Sequence, residues 1–524
     1  MACRLFATLW QNHHSVSFEC RADQGARHLM RSIQRNIIAL SLLAAGLCGN
    51  GQIEAGQRQP PIYSPAELQE DYAVLRKALE TTYPSLYRFT DRSIMSQYLD
   101  DAFRSLDKPE TETEFYKLVA LTCARVHDEH LIPRPSEAYY LSLKDTHHYF
   151  PFSLKIIDRR LYVLTTAQPN SAVPTGSEIL SINGRSAEEL LATLLPSIPS
   201  DGYIQNFDLR HLEDYSMTEE ENLFDLNYPI LVEDTDSYRI EYIDRSDQSK
   251  ISVAVVAGLG QSDYKRYLYD RVKLKAPLEF KYLASDIAYL RIASFLPWHR
   301  ARFKQDFYAL FESIFKDLNA HHTGNLILDL RNNEGGDGTG EKLLTYLLNK
   351  PYRHFASAEF KFVGSPPVSA YLQNGKDLSV DESSVERTDS GMYRLKKTSM
   401  PLLDEQRPDV NHYSGKLYVL INGATGSMAS VVADFLKGNG RGTFIGEESG
   451  GTMEGNTSHS IARLVLPHSK IRVAVPLLKT VNAVAFTKGR GVEPDYRVGP
   501  TIDDLMKGVD TELMFTINLI GSKN

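Results

Sequence analysis

Three short, largely apolar runs in the second half of the chain constrain its fold most: residues 287–292, 326–330 and 417–421. Five or six residues without a polar face belong in strands covered on both sides. Helical patterns follow two of these runs, at 303–318 and again after Ser427, and such alternation predicts an α/β core with buried strands beginning near Leu278. The chain has 524 residues. That is too long for a single core, so two to four domains are expected.

Upstream the pattern differs. Ser64-Pro65-Ala66-Glu67 reads as a capping box with proline at the first helical position. Leu68, Tyr72, Leu75 and Leu79 then share one helical face. Further helical stretches over 94–106 and 112–126 give a helical N-terminal domain, bounded at 56–145. Short β-type runs follow, at 161–164, 238–242 and 251–256, with Asn183-Gly184 placed as a tight hairpin turn. These make a β module over 146–262, an α/β core over 263–510 and a tail over 511–524. Residues 365–412 are polar and irregular, an expected excursion over the site.

Residues 1–55 read as a leader. Met30, Arg31 and Arg35 precede an apolar run over 37–47, too short for a bilayer core of about 30 Å but suited to a signal peptide. A start at Met30 places the charged region correctly and makes residues 1–29 an extension; a buried N-terminal helix is the bland alternative. Cys48 suggests a lipid anchor and hence membrane association, although Leu47 stands where a small residue is needed. Cleavage leaves Cys123 as the lone cysteine, so neither a disulfide nor a cysteine-based zinc site is expected. The expected location is secreted, periplasmic or cell-envelope. A formal net charge of -8 argues against nucleic acid as partner.

Chemistry concentrates after the last two apolar runs. Leu417-Tyr418-Val419-Leu420-Ile421 leads into Asn422-Gly423-Ala424-Thr425-Gly426, then Ser427 at a helix start. Strand, glycine-bearing turn and serine follow the logic of a nucleophile elbow, with the helix N-terminus supplying amides for an oxyanion. Taken alone, Ser427 reads as an N-cap. Leu328-Asp329-Leu330-Arg331-Asn332-Asn333-Glu334-Gly335-Gly336 ends a strand in a glycine pair whose amides could bind an oxyanion; alone it is an ordinary strand-to-helix loop.

Together these segments resemble the C-terminal processing (tail-specific) serine proteases. That family carries Asp-Leu-Arg-x-Asn-x-Gly-Gly, then Thr-x-Ser, Gly-Glu-x-Thr-x-Gly and Gly-x-x-Pro-Asp. The counterparts here are Asp329 to Gly336, Thr425-Gly426-Ser427, Gly446 to Gly451, and Gly491-Val492-Glu493-Pro494-Asp495. Gly176 to Gly184 is similar to the family's PDZ-type module, and the resemblance runs over roughly 110–500. It implies a PDZ-like middle module, a crotonase/ClpP-like α/β catalytic core, and Ser427 as nucleophile. The amides of Met428 and Gly335 or Gly336 become the oxyanion donors.

Two departures shape the implied mechanism: Ser430 replaces the glutamate of the family's serine motif, and the dyad lysine is missing from its place. Members with a Ser-Lys dyad carry the lysine 25 residues after the serine, where this chain has Thr452. The chain therefore stands closer to the tricorn core and interphotoreceptor retinoid-binding branch, whose base is a histidine ahead of the PDZ module. Ala124-Arg125-Val126-His127-Asp128-Glu129-His130 resembles that step, with His130 as base and His127 as fallback. The stretch that carries the branch's supporting acid has none here; Glu493 and Glu448 are the candidates.

The expectation is a serine endopeptidase acting on polypeptide through an acyl-enzyme, with no metal or organic cofactor implied. Its rival is a non-catalytic binding protein on the same fold, for an apolar small molecule or a peptide. An acyl-CoA enzyme of the crotonase type shares the core but lacks the motifs. The oligomeric state is not encoded in any of these features.

Overall fold

A computed structural model describes residues 61–522, apart from 214–221, 272–273 and 376–377. The leader, its signal-peptide-like run and Cys48 lie outside the described residues.

The N-terminal helices are α1 (Pro65–Thr81), α2 (Arg92–Ser105) and α3 (Glu112–Ala124). The capping box forms as read: Ser64 Oγ accepts the Glu67 N–H, and the Glu67 carboxylate accepts the Ser64 N–H at 2.8 Å. Thr111 and Glu114 build a second box on α3. Leu68, Tyr72, Leu75 and Leu79 are wholly buried, but their cover comes from far along the chain. Ala358, Phe360, Leu464, Val473 and Leu478 join them in one apolar cluster. Residues 365–412 contribute to that cover: Val385–Arg387 and Tyr393–Leu395 pair into a sheet with Phe355–Phe360 and Leu478–Asn482. The expected excursion over the site is in large part a lid on the N-terminal helices, because their exposed apolar faces demand one.

The middle segment forms an antiparallel sheet of β1 (Phe152–Ile157), β2 (Arg160–Thr166), β3 (Glu178–Ile182), β4 (Ser237–Asp244) and β5 (Asp247–Ala257), in that order. Asn183 and Gly184 take φ of +49° and +82° and turn β3 back onto Arg185–Ser186, as a two-residue hairpin loop requires. Helix α4 (Gln205–Leu212) closes the side toward the α/β domain.

That domain holds a sheet in the order β6 (Leu278–Ala284), β7 (Ile287–Ile292), β8 (Asn325–Asp329), β9 (Lys416–Ile421), β10 (Thr443–Gly446) and β11 (Tyr496–Arg497). The first pair is antiparallel and the rest are parallel. Leu326, Leu328 and Val419 face Phe311, Leu343 and Val432 of α5 (Phe307–Ala320), α6 (Thr339–Leu347) and α7 (Ser427–Gly438). Ile327, Tyr418 and Leu420 face Ile520 of α8 (Thr511–Ser522). Cover on both faces is why these strands read as unbroken apolar runs. Parallel strands also deliver the loops after β8 and β9 to the same sheet edge, side by side.

Candidate active site

The loop after β9 is pinned to the loop after β8. Thr425 Oγ1 donates to the Leu330 carbonyl at 2.9 Å, and the Gly426 N–H to the Asn333 carbonyl at 3.0 Å. Asn422 Oδ1 accepts the Asn332 N–H at 3.0 Å. This network holds Ser427 at φ +44°, a left-handed conformation that a serine adopts only under constraint. Gly426, not Ser427, takes the N-cap position of α7, without a side-chain cap. Ser427 is thereby released from capping, and its Oγ stands 3.3 Å from His130 Nε2.

The glycine pair after β8 is required by space. A Cβ on Gly336 would lie 2.2 Å from the Phe295 carbonyl carbon; one on Gly335 would lie 2.6 Å from the Met428 nitrogen and 2.8 Å from Ser427 Cβ. Both take positive φ, +93° and +144°. The Gly335 N–H is committed to Asn333 Oδ1 at 2.8 Å, which removes it from the expected oxyanion donors. The amides of Gly336 and Met428 carry no hydrogen bond among the described residues.

His130 arrives from the opposite side. After α3 the chain turns at His127, φ +60°, and the His130 N–H donates to Asp128 Oδ1 at 2.9 Å. Strand Ile132–Arg134 then pairs with Arg472–Pro476, fixing the segment to the sheet that covers the N-terminal helices. Burial lowers the imidazole pKa, and Asp128 opposes the shift. His127 packs its ring edge-on to Tyr203. The hydrogen-bond partner of Ser427 Oγ is His130; position 452 holds a buried threonine whose hydroxyl donates to the Gly455 carbonyl.

The supporting acids expected from the sequence are corrected by the structure. Glu448 and Glu493 both accept from Arg490, at 2.6 and 3.0 Å, and Glu448 also accepts the Gly491 N–H. The Arg490 guanidinium, carried on the loop before β11, captures both carboxylates. The acids beside His130 Nδ1 are instead Asp128 at 3.8 Å and Glu129 at 3.6 Å. Asp128 accepts from Tyr83 Oη at 2.5 Å and Thr457 Oγ1 at 2.7 Å. Glu129 accepts the Ser427 N–H at 3.2 Å and donates its own N–H to Asp201 Oδ1. Burial, then the charges of Asp201 and Asp128, pushes the Glu129 carboxyl well up. Burial and Asp128 push Asp201 up to about 7. Asp128 stands two residues before His130 inside the motif already singled out; Asp201 has no local signal, because only the tertiary fold brings it there.

A cavity of about 460 Å³ opens at Ser427, His130 and Gly336, walled by Ile132, Ile198, Phe207, Leu296 and Ile461. His211 and Glu334 pair at 3.2 Å within its lining.

Comparison with known proteins agrees with this architecture. Mature CPAF superposes with a TM-score of 0.56 at 15% identity, over 84% of this chain and 94% of that one. Its complex with lactacystin gives 0.56 at 16%, over 84% and 95%. These likenesses establish the fold. The photosystem II D1 C-terminal processing protease aligns over 83% of this chain and 93% of its own, at 16% identity and a TM-score of 0.39. No curated protein sequence matches the chain. Residues 286–498, which hold β7 to β11, the glycine pair and Ser427, match the model of peptidase family S41, so the chain carries an S41-like peptidase domain behind its N-terminal helices and mixed β-sheets.

Proposed function

We propose that the protein is a serine endopeptidase that cleaves polypeptide through an acyl-enzyme on Ser427. One observation carries this reading: a serine held in left-handed strain in the loop after a parallel strand, with its Oγ 3.3 Å from a largely buried imidazole 297 residues earlier in the chain. His130 Nε2 takes the Ser427 proton as Oγ attacks the scissile carbonyl, then returns it to the leaving amine. This needs the proton of neutral His130 on Nδ1, facing Asp128, whose negative charge stabilises the imidazolium that forms. The oxyanion falls to the amides of Met428 and Gly336, one at the N-terminus of α7 and one from the glycine pair.

The antiparallel module over 146–262 is read as PDZ-like, holding extended substrate by strand addition, and the α/β domain as crotonase/ClpP-like. The 37–47 run and the cysteine distribution support export. The test is covalent labelling of the folded chain with a fluorophosphonate, mapped by mass spectrometry. Label on Ser427, strongly reduced in His130→Ala, is expected. An unlabelled wild-type chain that leaves unfolded protein uncut would sink the proposal and favour a binding protein.

A further inference from the structure

The acids around His130 do more than one partner for Nδ1 requires. Asp128, His130 and Asp201 aim one ligand atom each at a shared space, and those atoms lie within 4.8 Å of one another. Asp128 and Asp201 are both 4% exposed, and His130 has 13% of its side chain exposed. An independent observation points into the same space: His130 Nδ1 is closed to solvent and has no hydrogen-bond partner among the described residues. The nearby cation, Arg88, is held away by Glu454 at 2.5 Å and the Gly455 carbonyl at 2.9 Å. Two carboxylates and an imidazole nitrogen thus converge while Arg88 is paired elsewhere.

We infer that Asp128, Asp201 and His130 Nδ1 form an inhibitory site for a divalent transition-metal cation of the Zn²⁺ class. One nitrogen and two carboxylate oxygens are a donor set that such ions take at about 2.0–2.2 Å. Ligands on a tetrahedron of that size stand about 3.4 Å apart, so side-chain rotations of roughly an ångström close the cage. The Asp128 oxygens already accept from Tyr83, Thr457 and the His130 N–H. Asp201 Oδ1 and Oδ2 accept one backbone N–H each, from Glu129 and Thr452, and a carboxylate has about four acceptor positions. Asp201 is therefore the more open oxygen ligand. Glu129 Oε1, 3.6 Å from Nδ1, or a water completes the fourth position.

Inhibition follows from the tautomer, and this consequence rests on the peptidase reading, whereas the site does not. A neutral imidazole carries one proton. With the metal on Nδ1, that proton sits on Nε2, where it can only donate to Ser427 Oγ. Coordination moves the proton from Nδ1 to Nε2, the ring stays neutral, and no base remains for the serine.

The test is calorimetric titration of Zn²⁺ into the chelator-stripped full chain. One site is expected that weakens at least tenfold in both Asp201→Asn and His130→Ala and persists in Ser427→Ala. The histidines and cysteines of residues 1–55 can add sites of their own, but those do not respond to these substitutions. Equal site number and affinity in His130→Ala and wild type would overturn the inference; so would the absence of saturable binding. If Asp201→Asn does not fold, His130→Ala gives the same answer. Cleavage of unfolded protein, scored for each variant against its own metal-free rate, tests the inhibitory role: Zn²⁺ should stop the wild type at concentrations that fill the site, and a chelator should restore it. A chain that binds Zn²⁺ but never cleaves would refute the peptidase reading and leave the site standing. A chain that cleaves normally with the site filled would refute inhibition.

Discussion

Asp329 and Asp434 lie in the same domain and are buried to the same 1% exposure, yet their pKa values are displaced in opposite directions. Asp329 closes strand β8 against Arg331, whose Nη2 meets it at 2.6 Å, and it also accepts from Tyr289 Oη at 2.7 Å. Arg331 is shared with Asp510 at 2.7 Å and Glu512 at 3.2 Å. Burial alone would raise the Asp329 carboxyl, but Arg331 brings it below its ordinary value. Asp434, on α7 beyond Ser427, receives only the Asn482 amide at 3.2 Å among the described residues. There burial wins, Asp201 adds to it, and the carboxyl is pushed well up. Desolvation is common to both; the presence of a guanidinium decides the outcome. Glu129 and Asp201, beside His130, follow Asp434. A buried acid cluster with its cation is a structural strut, and one without a cation marks the place where charge is wanted later, in a transition state or on a ligand.

The largest expected effect falls on the cation-poor side. His130→Ala should lower kcat/KM on unfolded protein by about 10²–10⁴-fold, the usual worth of a general base, with near-native circular dichroism and thermal midpoint. A variant that loses its fold instead would place His130 with the struts. On the cation-rich side, Arg331→Ala should cost roughly 3–5 kcal/mol in urea unfolding, because it strands Asp329 in the core. An Arg331→Ala chain as stable as wild type would erase the contrast.

Asp128 tests the boundary between the two kinds of cluster. It is fully supplied with donors yet faces the imidazole proposed as the base. Asp128→Asn should lower kcat by roughly tenfold or more while KM changes little, since the amide can still accept from Tyr83 and Thr457 but no longer stabilises an imidazolium. An unchanged kcat would make Asp128 a strut and return the supporting role to Glu129.

These contrasts also show what could be read from the sequence. The α/β core was legible because strands β8 and β9 are buried on both faces, and burial writes itself as unbroken Leu and Ile. Ser427 and the glycine pair were legible because strain and close approach leave few residue choices. His130 was reached only through a resemblance, since nothing local distinguishes it from His127. Glu448 and Glu493 were read as candidate acids because they are near the expected motif in sequence, while their capture by Arg490 is a tertiary event. Asp201 and the cover over α1 to α3 were illegible for the same reason: Asp201 meets Glu129 from 72 residues away, and the cover comes from hundreds of residues beyond the helices.

The smallest predicted effect is a change of sign with pH, and it bears directly on the opening pair. The folded pKa of Asp434 is raised above the unfolded value of about 3.9, so the folded state holds its proton more tightly. Stability from this group is present at low pH and is lost as pH rises from about 4 through the folded pKa. An asparagine has no proton to lose and keeps an oxygen for Asn482. Asp434→Asn should therefore lie within about 1 kcal/mol of wild type at pH 5 and become relatively stabilising by pH 8. Asp329 runs the other way: its depressed pKa gives stability that is present above about pH 4 and lost as pH falls through the folded value. Asp329→Asn should cost most at neutral pH and least in acid. Urea unfolding of both variants at pH 3.5, 5 and 8 measures the two slopes. Parallel slopes would mean that Arg331 does not separate the two aspartates, and the electrostatic distinction between strut and site would fall with it.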